Sequence, residues 1–107
     1  MSLALKWLGG TEDEVLLARA IAKLVGQWMD RQGSIYTLTQ ATEAGKIDVL
    51  TVRPSGAQRN TDALITVRGC ILQWGRSTSW KFSGTMDADS NIIWRRGRSK
   101  FQWRKMQ

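Results

Sequence analysis

The amino-acid sequence predicts a mainly β protein of the α+β class, folded as a single domain over residues 1–107. Two observations support this fold class. The spacing of apolar residues changes from a period of about 3.6 before Gly26 to a period of 2 after it. The residues after Gly26 are also rich in Val, Ile, Thr, Trp and Tyr, in short runs separated by Gly, Asn and Asp. We therefore expect an N-terminal amphipathic helix at 11–25, followed by an antiparallel β-meander at 26–105.

The helix is predicted from a start signal and an apolar stripe. Thr11 and Glu14 are spaced as a capping box, in which each side chain can bind a free backbone amide of the first turn. The helix is predicted to end at Gly26, because glycine is favoured at the position just beyond a helix. Five apolar side chains fall on one stripe at helical spacing: Leu17, Ile21, Leu24, Val25 and Trp28.

The meander is predicted to contain seven or eight strands. They lie at roughly 26–30, 34–40, 46–53, 62–68, 70–75, 79–84, 91–96 and 99–105. Most connections are too short for a crossover helix, so neighbouring strands should pair antiparallel. Because closure removes exposed strand edges, so many short strands indicate a strongly curved sheet or a small barrel. Alternation assigns these residues to the core side: Tyr36, Leu38, Ile47, Val49, Ile65, Val67, Leu72, Trp74, Trp80, Phe82, Ile92, Trp94, Phe101 and Trp103.

The positive charge of the chain is concentrated in its second half. The 16 basic and 9 acidic residues give a net charge of +7. Residues 1–53 hold six of each sign, whereas residues 54–107 hold ten basic and three acidic residues, a difference of +7. A predicted terminal hairpin turning at 96–98 carries the candidate site for an anionic partner, with nucleic acid as one such partner. Its residues are Arg95, Arg96, Arg98, Lys100 and Arg104.

Two interpretations of that hairpin stay open. Alternation places Trp94, Phe101 and Trp103 on one face and most of the cations on the other, which favours buried rings and a solvated basic strip. The strip can bind phosphates, or it can serve only solubility and protection of strand edges. Exposed rings, by contrast, would form a base-stacking platform.

The high tryptophan content suggests two alternative functions. The first is capture of a small apolar ligand at the mouth of a barrel, with lining residues Trp28, Tyr36, Trp74, Trp80 and Trp103. The second is self-association into a homo-oligomer, because six tryptophans in 107 residues can exceed what a small core hides.

Several kinds of chemistry are disfavoured by composition. The chain has no histidine and one cysteine, Cys70, so Ser-His and Cys-His nucleophile pairs and the common zinc sites are excluded. Cys70 is interpreted as a small buried hydrophobe, and Asp87 to Asn91 as a turn rather than a calcium loop. We expect a non-enzymatic protein with no metal or cofactor. With no apolar stretch long enough to span a membrane, it should be soluble, intracellular and cytoplasmic.

Two resemblances extend this prediction. The segment from Gly26 to Ser34, with Gly-x-Trp at its start and Gly33-Ser34 at its end, resembles the first strand of avidin-like and lipocalin-like barrels. Asp30 stands where avidins usually have asparagine, and the resemblance implies that Ser34 contacts a ligand. Residues 26–105, with Trp74, Trp80, Trp94 and Trp103 in their β segments, are also similar to Trp-rich β-domains of unicellular algae. That similarity implies the same architecture and a binding or scaffolding role.

Overall fold

The structure, a computed structural model, describes residues 12–68, 71–75, 82–87 and 91–106. One helix, α1 (Glu12–Leu24), precedes eight strands. The strands are β1 (Gly26–Met29), β2 (Ile35–Gln40), β3 (Lys46–Val52), β4 (Gln58–Arg68), β5 (Ile71–Trp74), β6 (Phe82–Met86), β7 (Ile92–Arg96) and β8 (Ser99–Lys105). Within the described residues, no helix is both long and apolar enough to cross a membrane.

The eight strands form a closed antiparallel barrel in sequence order. Each strand pairs with the next along the chain, as the short connections predicted. Closure comes from β8, which pairs with β1 through Trp28 opposite Lys105 and Met29 opposite Arg104. The predicted mainly β fold is therefore confirmed, and of the two shapes left open the barrel is the one that forms.

Most of the core consists of strand side chains that alternation placed inside. Among them, Ile47, Val49, Ile65, Ile92 and Trp94 are fully buried. Trp74 and Phe101 are only half-buried, and Trp80 lies outside the described residues.

Gly84 makes room for this core, because a Cβ there would lie 2.6 Å from the ring of Trp94 on the next strand. A glycine in mid-strand thus reflects close packing rather than a turn.

The helix prediction needs one correction. Ile21 and Leu24 of α1 pack into the core, and Trp28 of β1 belongs to the same core cluster. Val25 was expected on the same apolar stripe, but it is 39% exposed. The reason is that α1 ends at Leu24, so the helical period no longer governs the direction of Val25. Thr11 and Cys70 lie outside the described residues.

The strand β4 begins at Gln58, four residues before its predicted start. Its first residues are polar and exposed, so they give no apolar signal, yet they continue the ladder with the end of β3. The register between β3 and β4 shifts at Asp48. There the carboxylate of Asp48 accepts the amide of Ala63 at 2.7 Å, and Ala63 adopts a φ of 53°. Because a β-bulge bends the strand that contains it, the wall of the barrel bends locally at this point.

Candidate functional site

The barrel has a covered end and an open end. At the covered end, α1 leads into β1 and contributes Ile21 and Leu24 to the core. At the open end, the strands β1, β3, β5 and β7 finish and β2, β4, β6 and β8 begin. Because the strands run antiparallel in sequence order, the connections 30–34, 53–57 and 97–98 all meet at this open end.

A hydrogen-bonded polar cluster lies at the open end. The Tyr36 hydroxyl donates to Asp30 Oδ2 at 2.7 Å, and Asp30 Oδ1 accepts the backbone amides of Gln32 at 2.9 Å and Ser34 at 3.0 Å. Arg53 Nη1 donates to Ser34 Oγ at 3.2 Å and to the Tyr36 oxygen at 3.4 Å. The Asp30 carboxylate therefore fixes the β1–β2 turn, and Arg53 joins that turn to the end of β3.

The cluster changes the acidity of its tyrosine. Burial, followed by the hydrogen bond to Asp30 and the negative charge of that carboxylate, raises the pKa of Tyr36 to about 12. The Arg53 guanidinium acts in the opposite direction and is outweighed. Tyr36 is therefore a neutral hydroxyl at physiological pH, able to donate to Asp30 while accepting from Arg53.

Aromatic rings form the floor beneath this cluster. The Tyr36 ring stacks on Trp103 with centroids 4.3 Å apart. Trp74 meets Tyr36 at 5.8 Å, Trp94 at 5.5 Å and Trp103 at 5.0 Å, each nearly perpendicular. These contacts hold the half-buried Trp74 at the boundary between the core and the open end.

Two indole N–H groups in this floor have no hydrogen-bond partner in the part of the chain that the structure describes. They belong to Trp94 and Trp103, which are both fully buried. The indole of Trp28, by contrast, donates to the Leu24 carbonyl at 2.8 Å. The indole N–H of Trp28 is thus hydrogen-bonded at the end of α1, whereas those of Trp94 and Trp103 are buried without a partner among the described residues.

Two clefts open on either side of Trp74, and both are lined by Tyr36, Arg53 and Trp74. The first, called here the β4 cleft, measures about 550 Å³ and adds Thr51, Arg59, Thr61 and Leu64. The second, called the β8 cleft, measures about 700 Å³ and adds Asp30, Phe82, Ile93, Lys100 and Phe101. Each joins an apolar wall to cationic side chains at the rim.

The open end is strongly cationic. The β7–β8 hairpin turns at Gly97, and Arg95 lies directly opposite Lys100 on its outer face. The described residues at the open end include one carboxylate, Asp30, and seven cations: Arg31, Arg53, Arg59, Arg95, Arg96, Arg98 and Lys100. The covered end differs, because acidic Glu43 and Asp87 lie at the strand ends there together with Lys46, Arg68 and Lys105.

The residues predicted for an anionic partner are brought together in part. Four of them lie on the β7–β8 hairpin, whereas Arg104 lies on the outer wall where β8 meets β1. There Arg104 shares a shallow groove with Asp30 and Arg31. The adjacent Lys105 also lines this groove, but its ammonium group donates to the Lys23 and Val25 carbonyls at the covered end.

The residues predicted to line a ligand pocket lie at different depths. Tyr36 and Trp74 line both clefts, whereas Trp28, Ser34 and Trp103 are fully or almost fully buried and line neither. Ser34 lies beneath Arg53, which donates to its hydroxyl. Trp80 is outside the described residues.

Sequence reasoning did not select Arg53 or Asp30 as site residues. A signal for Arg53 was present, because the inward alternation of β3 at Ile47, Val49 and Thr51 continues to residue 53. The proline that follows Arg53 instead indicates that the strand ends there.

Comparisons with known proteins identify no relative. No family model, no curated protein and no solved structure gave a significant match to the chain. The two resemblances noted from sequence motifs therefore stay predictions, and the interpretation of function depends on the site itself.

Proposed function

We propose that this protein is a non-catalytic binding module that takes an anionic partner at the open end of its barrel. The observation that carries the proposal is the separation of charge between the two ends, with seven cations and one carboxylate among the described open-end residues. Cations gathered on one surface attract a polyanion through released counterions, independently of its sequence.

The β7–β8 hairpin is the main element of the proposed binding surface. Arg95, Arg98 and Lys100 are exposed, and the aromatic partners of this hairpin, Trp94 and Phe101, face inward. Contact with phosphate groups, rather than stacking on bases, is therefore the recognition that this surface supports. The same reasoning disfavours self-association through three of the described tryptophans, because Trp28, Trp94 and Trp103 are buried. We also infer that the protein acts inside the cell, where polynucleotides are available.

The test is a salt titration of binding to a fluorescently labelled DNA duplex. If about five phosphates are neutralised, raising salt from 50 to 200 mM weakens binding by about 500-fold. In the triple variant Arg95→Gln, Arg98→Gln, Lys100→Gln the number of neutralised phosphates falls to about two, so binding at 50 mM salt weakens and the salt effect shrinks to about 12-fold.

A matched control removes the same charge from the other end. The variant Arg19→Gln, Lys23→Gln, Arg68→Gln also loses three positive charges, all exposed and all away from the open end. It should keep the affinity and the salt dependence of the wild-type protein. Equal weakening by both triple variants, or no binding at 50 mM salt, would overturn the proposal.

A further inference from the structure

The β4 cleft joins two arginines to an aromatic wall. Arg59 lies opposite Thr51 in the β3–β4 ladder, and residue 53 follows two positions later on the same face as Thr51. Side chains at such diagonal positions are near neighbours in an antiparallel pair. Arg53 and Arg59 both line the cleft, so two cationic side chains border one small volume.

The position of Arg53 is fixed by the polar cluster. Its Nη1 is held by Ser34 and Tyr36, and those are the hydrogen bonds of this guanidinium among the described residues. A guanidinium has five N–H donors in a rigid fork, so Nε and Nη2 remain to bind a ligand. Arg53 is thus oriented in advance, which lowers the entropic cost of binding an anion.

The remaining walls indicate what the anion is attached to. Trp74 and Leu64 supply apolar lining, and Thr51 and Thr61 add hydroxyl-bearing side chains to the same cleft. Trp74 is held by perpendicular contacts with Tyr36 and Trp103, so it is a rigid surface for a flat ring. A volume of about 550 Å³ is within the range of small-molecule sites.

We propose that the β4 cleft is a binding site for a phosphate monoester of a flat heterocycle, such as a mononucleotide. Arg53 and Arg59 bind the phosphate, and the ring packs against Trp74. Two guanidinium groups favour the dianion of a monoester over the single charge of a diester. The same group can come from a free nucleotide or from the 5′-phosphorylated end of a strand. This site deepens the proposed function, since it places a specific subsite within the cationic open end.

The test uses adenosine 5′-monophosphate as the probe in calorimetric titrations of the full chain. Wild-type protein should bind this nucleotide at least about tenfold more tightly than adenosine, inorganic phosphate or the diester-linked dinucleotide ApA. Arg59→Gln should weaken nucleotide binding at least about tenfold, because it removes a charge-assisted hydrogen bond. Arg68→Gln removes the same charge from an exposed position at the covered end and should leave nucleotide binding unchanged.

A second pair of probes distinguishes the two sources of the phosphate. If strand ends are the ligand, a 5′-phosphorylated oligonucleotide should bind more tightly than its 5′-hydroxyl counterpart, and Arg59→Gln should abolish the difference. If free nucleotides are the ligand, the two oligonucleotides bind equally while adenosine 5′-monophosphate still binds through Arg59. Failure of the nucleotide to bind, or equal effects of Arg59→Gln and Arg68→Gln, would overturn the proposal.

These outcomes separate the cleft from the hairpin surface. Nucleotide binding that depends on Arg59, together with no duplex binding at 50 mM salt, would refute the proposed polyanion surface and keep the cleft. Duplex binding that depends on Arg95, Arg98 and Lys100, without any nucleotide binding, would do the reverse.

Discussion

At the covered end of the barrel, the side chain of Lys105 is hydrogen-bonded to the backbone, whereas at the open end the side chain of Arg53 lines two clefts. The ammonium group of Lys105 donates to the carbonyls of Lys23 at 2.9 Å and Val25 at 2.8 Å, and it lies 4.7 Å from the ring centre of Trp28. Arg53 at the opposite end is held by two hydroxyl oxygens through a single nitrogen. One cation therefore closes a helix terminus, and the other keeps donors for a ligand.

The contrast between Lys105 and Arg53 shows that net charge alone does not identify a binding surface. Lys105 follows Arg104 of the basic hairpin in the sequence, yet its ammonium group binds the carbonyl of Lys23 in the last turn of α1 and that of Val25 just after it. A cation there also interacts well with the helix dipole. Partial burial lowers the pKa of Lys105. Position relative to the two ends, rather than position in the sequence, decides what each cation does.

The largest expected effect contrasts a tryptophan from each end. Trp28→Ala removes a fully buried ring and its hydrogen bond to Leu24, so it should lower the free energy of unfolding by about 4 kcal/mol. Trp74→Ala removes a half-buried ring at the open end and should cost about 2 kcal/mol. Urea unfolding followed by far-ultraviolet circular dichroism measures both. Equal losses of unfolding free energy in the two variants would contradict the distinction between the covered end and the open end.

The next effect is a pH dependence at the open end. Tyr36 has a pKa near 12 when folded and an ordinary value of 10.0. Its proton is therefore held more tightly in the folded state, and the resulting stabilisation is present below pH 10 and lost between pH 10 and 12. A shift of about two units corresponds to about 2–3 kcal/mol.

Titration of the tyrosine absorbance tests this cause directly, because Tyr36 is the one tyrosine in the chain. Asp30→Asn removes the negative charge beside the hydroxyl, so the pKa of Tyr36 should fall below 12 and stay above 10.0, since burial is the largest cause of the shift. Glu43→Gln removes a carboxylate from the covered end and should leave the titration unchanged. An unaltered pKa in Asp30→Asn would contradict the hydrogen-bonded cluster.

The smallest expected effect compares one cation from each end. Lys105→Gln loses charged hydrogen bonds to the carbonyl of Lys23 in α1 and to that of Val25 just after it, and it should lower the free energy of unfolding by about 1 kcal/mol. Arg98→Gln, in the exposed turn of the hairpin, should change it by less than about 0.5 kcal/mol. Thermal unfolding of the two variants at equal salt gives the comparison. A greater loss in Arg98→Gln would reverse the roles assigned to the two ends.

Local patterns in the sequence predicted the fold closely because they depend on neighbouring residues. The period-2 alternation found Ile47, Val49, Ile92 and Trp94 as core residues, since a pleated strand directs alternate side chains to one face. The short connections predicted antiparallel pairing of each strand with the next. Polar strand ends escaped prediction, as at Gln58, because exposed residues carry no apolar signal.

The candidate site depended on contacts that no local pattern contains. Arg53 and Tyr36 are 17 residues apart in sequence and meet through β2–β3 pairing, while Trp74 reaches Tyr36 across the interior of the barrel. Sequence by itself determined the helix, the strands, the inward face and the basic hairpin. Only the folded barrel shows which end α1 covers, that Lys105 binds carbonyls at the end of α1 while Arg53 lines clefts, and that Trp28 and Trp103 line neither cleft. The physical reason is that closure of the barrel brings distant strand ends together.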